Sequence, residues 1–79
     1  MSENIVAPLR DELIDISFRQ EEILAELAKL VNSTDKDEKV LLAIEDSFKS
    51  LEKLEASYKK LFSEFERAAY GKAVEHFKL

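Results

Sequence analysis

One histidine, His76, bounds the side-chain chemistry available to this 79-residue chain. Glu75 is its immediate neighbour, and adjacent residues on a helix point to different faces, so the two cannot work as a base and its orienting carboxylate. No Glu-x-x-His pair of the kind that builds di-iron centres in helical bundles is present. The chain has no cysteine, which removes disulfides and thiolate zinc sites, and its single glycine cannot make a phosphate-cradling loop. Ser17, Ser47, Ser50, Ser57 and Ser63 fall on helical stretches with no histidine near in sequence and no Gly-x-Ser-x-Gly turn. Two acid clusters, Glu21-Glu22-Glu26 and Asp35-Asp37-Glu38, could attract a cation weakly. The first reads as a helix surface and the second as a helix cap, and neither has the Asp-x-Asp-x-Asp-Gly layout of a calcium loop. The expectation is a chain that is not an enzyme, with no catalytic residue, no metal and no cofactor.

The segment Leu9-Arg10-Asp11-Glu12-Leu13 is similar, over a turn or two, to the opening helix of the small all-helical chorismate mutases. The likeness ends there. Ile14 stands where that family carries Asp, and Arg10, Arg19 and Arg67 are the only arginines for holding a dianionic substrate.

Composition narrows the class. With 46% hydrophobic and 37% charged residues, one Gly and one Pro, the chain fits long amphipathic helices and not a disordered segment. No apolar run approaches the roughly 20 residues that span a bilayer, and no leader-like basic and apolar start is present. The expected setting is cytoplasmic, with no membrane partner. The net charge of −5 argues against nucleic acid, which requires a concentrated Lys/Arg surface. Residues 1–31 carry seven acids and three bases, residues 32–46 five and two, residues 47–79 five and seven, giving −4, −3 and +2. In a hairpin, Asp11, Glu12 and Asp15 would then lie toward Lys53, Lys59 and Lys60.

These residues are positioned by two long helices. Val6, Leu9, Leu13, Ile16, Gln20, Ile23, Leu27 and Leu30 recur at steps of three and four, the spacing of a seam that packs by knobs into holes. Ser2 or Asn4 can cap this helix, and Pro8 is tolerated in its first turn, where amides lack intrahelical partners. Asn32-Ser33-Thr34-Asp35 breaks it, and Asp35 with Glu38, or Thr34 with Asp37, can cap the next. The second seam reads Leu41, Ile44, Phe48, Leu51, Leu54, Tyr58, Leu61, Phe65 and Ala68, with a phase slip between Leu51 and Leu54. Ile14, Leu24, Ala28 and Val31 broaden the first stripe, and Val40, Leu42, Phe62 and Ala69 the second, as in a bundle. Tyr70, Ala73, Val74 and Phe77 continue a helical face past Gly71, which either breaks the helix or is carried within it. Counting through the turn puts Val6 beside Leu61 or Phe62.

The single domain 1–79 is therefore expected to be an all-α antiparallel hairpin. It comprises a helix over about 4–31, a turn at 32–35, a helix over about 36–70 and a short C-terminal helical segment at 71–79. Two copies are expected to form a dimeric four-helix bundle, a coiled-coil-like homo-oligomer. Its expected function is protein–protein interaction, as a small structural, adaptor or chaperone-like subunit with one larger protein partner. The alternative is an acidic inhibitor that occludes a basic surface of another protein, using acids of residues 11–26 and 35–46. Phe18, an aromatic on an otherwise charged face, is a candidate partner-binding residue, with Ile14, Phe62, Tyr70 and Phe77. Tyr58, Phe62, Phe65 and Tyr70 read foremost as core packing. Gln20 either fixes register as a buried polar residue or reaches water at the seam's margin.

Overall fold

The structure, a computed structural model, describes residues 5–34 and 37–77, apart from the side chains of His76 and Phe77. Two helices account for nearly all of it: α1, Val6–Asn32, and α2, Glu38–Phe77. They pack against each other as a hairpin 65 Å long and 15 to 18 Å across.

Local chemistry explains where the helices begin and end. Pro8 lies in the first turn of α1, where its missing N–H costs nothing, and the Leu9 amide donates to the Ile5 carbonyl at 3.1 Å. The expected caps Ser2 and Asn4 lie outside the described residues. At the other end the chain turns extended at Ser33, whose amide donates to the Leu30 carbonyl at 3.3 Å. Asp37 caps α2: its Oδ1 accepts the Val40 amide at 3.0 Å and its carbonyl the Leu41 amide at 3.2 Å. This is the N-cap geometry that satisfies an orphan donor at a helix start. It replaces the expected pairs, of which Asp35 lies outside the described residues, and α2 starts two residues later than expected, at Glu38. The turn is accordingly centred later, and the two helices meet further along. Ile5, Pro8 and Leu9 border one groove with Glu64, Arg67 and Ala68, about a turn beyond the Leu61 position reached by counting.

Residues 71–77 of the expected separate C-terminal segment are instead the end of α2, which runs on through Gly71 to Phe77, and 78–79 lie outside the described residues. A Cβ built on Gly71 meets nothing within 4 Å. The glycine is thus not demanded by packing, and it costs helix propensity relative to alanine. Gly71→Ala is expected to stabilise the helix by about 0.5–1 kcal/mol. Thermal unfolding followed by circular dichroism checks this, and a loss of stability would mean that something packs closely over Gly71.

The first seam is formed as its spacing requires. Leu13 and Leu27 are buried, and Val6, Leu9, Ile16, Gln20, Ile23 and Leu30 are half-buried. Gln20 is neither enclosed nor free of the seam. On α2, Val40, Ile44, Ser47, Leu51, Leu54, Tyr58, Leu61, Phe65, Ala68 and Lys72 are half-buried at steps of four and three without interruption, with the small Ala43 and Ala69 half-buried beside them. The expected phase slip is therefore absent. Ser47 takes the seam position read for Phe48, and Val40 that of Leu41. A serine is accommodated there because its hydroxyl donates to the Ala43 carbonyl at 2.9 Å and needs no partner across the seam. Heptad continuity outweighs the greater apolarity of Phe48, since one helix cannot rotate for a single residue.

Leu13 and Leu27 are the only buried apolar residues among those described, so the core between two helices is one layer deep. The accessible surface, 6620 Å², exceeds the about 4,900 Å² expected for a compact monomer of this mass. A two-helix hairpin has too few neighbours to enclose its apolar side chains.

Candidate interaction surface

The surface is built from what the seam leaves over. Leu24 and Val31 each follow a seam residue of α1 by one position, and Leu41, Phe48, Phe62 and Ala69 do the same on α2. Residues one step past the seam point about 100° around each helix. Because the helices are antiparallel, those steps fall on the same side of the hairpin. Residues one step before the seam share the opposite side, and a groove there joins Arg19, Glu22 and Glu26 of α1 to Asp46 and Ser50 of α2. Toward the loop the hairpin is two-sided: charged side chains flank one edge of the seam there and Leu24, Val31, Leu41 and Phe48 the other, while Arg10, Ser17 and Glu55 interrupt the apolar edge further along.

On the apolar side Leu24 is 53% exposed, Phe48 51% and Leu41 58%. Val31 and Phe62 are exposed beside them, as is Leu42 at the loop end of α2. Ile14 and Phe18, one turn apart on α1, lie further round this flank, both exposed. Near the far end, Phe62, Phe65, Ala69, Tyr70 and Ala73 line an apolar groove of about 300 Å³ with Glu66. The Tyr58 and Phe62 rings stack with centroids 6.1 Å apart and planes 17° from parallel, which ties the half-buried Tyr58 to the exposed Phe62.

The expected partner-binding residues are thus distributed unevenly. Phe62 and Tyr70 share one groove, Ile14 and Phe18 share a flank of α1, and the Phe77 side chain lies outside the described residues, as does that of His76. Core packing does not account for Phe62 and Tyr70, which stand one and two positions past the seam; Tyr58 and Phe65 do occupy it. Leu41 and Phe48, read from sequence as seam residues, belong to the exposed side. The signal that identifies them is the unbroken alternation of threes and fours through Ser47.

Electrostatics contributes little between the helices. The ion pairs seen among the described residues are Arg10–Asp11 at 3.1 Å, Lys49–Glu45 at 3.4 Å, Lys59–Glu55 at 3.5 Å and Lys72–Glu75 at 4.0 Å. Each lies within one helix, and exposed pairs of this kind are worth about 0–1 kcal/mol. The expected approach of Asp11, Glu12 and Asp15 to Lys53, Lys59 and Lys60 gives none of these pairs; Asp11 is engaged by Arg10 and Lys59 by Glu55, each within its own helix. Among the described residues no three His, Asp or Glu side chains are gathered as metal ligands would be. No helix there is long and apolar enough to cross a membrane.

The fold and surface define an all-α two-helix hairpin with one apolar side. Comparison of the chain with known protein families, curated proteins and solved structures returns no match.

Proposed function

We propose that this chain is a non-enzymatic protein–protein interaction module of the cytoplasm, a structural, adaptor or chaperone-like subunit that works through its apolar helix faces. Two copies associate into a four-helix bundle, and the assembly engages one larger protein partner. The observation that supports this is the row of Leu24, Val31, Leu41, Phe48 and Phe62, large apolar side chains about half exposed along one side of a hairpin. An isolated soluble chain gains stability by covering such a row, at roughly 25 cal/mol per Å² removed from water.

A second reading is favoured by the opposite side. There Glu22, Glu26 and Asp46 of the two acid-rich segments border one groove, as an acidic inhibitor of a basic surface would require. Salt separates the two readings. Association through apolar faces is expected to change less than about twofold between 0.1 and 1 M sodium chloride, whereas attraction between exposed charges is largely screened over that range. Sedimentation equilibrium of the chain alone at both concentrations checks the first, and self-association lost at high salt would count against packing through the apolar side.

A further inference from the structure

We infer that the apolar side is covered by a second copy of this chain laid across it with the two loops at opposite ends, so that Phe48 of each copy packs on Phe62 of the other. The inference rests on the self-association proposed above and adds its orientation.

Three observations carry it. First, the positions of α2 that follow every second seam residue (Val40, Ser47, Leu54, Leu61 and Ala68) read Leu41, Phe48, Glu55, Phe62 and Ala69, at intervals of seven, while Glu45, Glu52, Lys59 and Glu66 follow the alternate ones and lie further round the helix. The order is apolar, aromatic, charged, aromatic, apolar, the same in both directions about Glu55. A two-fold axis crossing α2 at Glu55 sets Phe48 against Phe62 twice and Leu41 against Ala69 twice, the isologous contact that a closed dimer uses. It also carries Leu41 and Leu42 of one copy onto the Phe62–Tyr70 groove of the other. With loops at the same end, α2 of one copy lies along α1 of the other, and this symmetry goes unused.

Second, the charge is lopsided along the hairpin. Residues 21–46, the third of the chain that holds the loop, carry eight acids and three bases, and all remaining residues together carry nine of each. The whole net charge of −5 therefore sits at the loop end. Same-end packing would bring two such ends together. Opposite-end packing separates them by the length of a 65 Å body and lays each along the electrically balanced remainder, which includes Lys49, Lys53, Lys59, Lys60, Arg67 and Lys72.

Third, the area is sufficient. The whole hairpin exposes about 1,700 Å² more than a compact monomer of its mass, an excess of the size that each subunit of a permanent homodimer covers. Glu55 is compatible with the axis because its Oε1 is held by Lys59 at 3.5 Å along its own helix.

The chain has no cysteine, so single thiols report orientation directly. Glu55→Cys, at an exposed position, is expected to give mostly covalent dimer under mild oxidation, since two such residues on the axis meet the roughly 4.4–6.8 Å Cα separation a disulfide needs. Leu41→Cys and Ala69→Cys are expected to link when mixed and not when oxidised alone, and Lys53→Cys, on the charged side, not to self-link. If the protein has the mass of a dimer but neither Glu55→Cys nor the mixture links, the orientation is overturned and self-association stands. A protein that is monomeric at every concentration overturns both.

Discussion

Replacing Leu27 by alanine is expected to cost the hairpin about 2–3 kcal/mol, the low end of the range for a buried leucine. Leu27 and Leu13 are the two side chains that the helices enclose among the described residues, each only 8% exposed. In a core one layer deep the neighbouring side chains can relax into the space, and this keeps the loss below that of a deep cavity. The loss is still a large part of the total, because a chain of this length is stable by only about 4–12 kcal/mol. A fall of roughly 10–20 °C in the unfolding midpoint would follow. Val74→Ala is the control: Val74 is 58% exposed on the outer side of α2, and the change should stay within about 0.5 kcal/mol. Urea unfolding of both variants checks the contrast, and equal effects would mean that the seam does not hold the hairpin together.

The largest effect on association is expected from Phe48→Asp. Phe48 is half exposed in the hairpin, so an aspartate there is hydrated while the chain is alone. In a dimer closed over the apolar side it becomes a desolvated charge in place of an aromatic anchor. A two-fold contact repeats that loss. At about 2 kcal/mol for each copy, the dimer would weaken about a thousandfold. Ser50→Asp, on the charged side near Arg19, should leave the affinity within a few-fold. Analytical ultracentrifugation of the two variants compares them, and a Phe48→Asp protein that associates like the unaltered chain would remove the apolar side from the account.

Much of this arrangement was legible in the residues. The first seam was readable in full because apolar side chains occupy seven of its eight positions and the helix has no competing stripe of equal strength. From Leu51 onward the second seam was readable for the same reason. It failed at Leu41 and Phe48, where two apolar stripes run side by side and the residue on the true seam is a serine. Apolarity marks what wants to leave water; it does not say which neighbour provides the cover. In this hairpin those are different faces, and Phe48 lies on the outer one. The start of α2 was misplaced for a related reason, since Asp35 and Asp37 are chemically equivalent as caps and only the backbone shows that Asp37 accepts the Val40 amide. The cross-helix charge pairs failed because sequence counts charge along the chain, whereas a salt bridge depends on which way each side chain leaves the helix.

Phe18 stood out by the contrast between its character and its charged surroundings, and it is exposed, as is Ile14, which read as broadening the first stripe. Their flank adjoins the apolar side and widens it. Leu24 and Val31, read as mere broadening of the first stripe, are the α1 half of the same surface.

The most direct test of the central claim, that the apolar side is an association surface, is the absolute mass in solution by light scattering over a concentration series with helicity followed in parallel. The account predicts a mass of two chains at micromolar concentration and above, with helicity and mass declining together on dilution. A fully helical protein that keeps the 9.1 kDa of one chain at every concentration would contradict it.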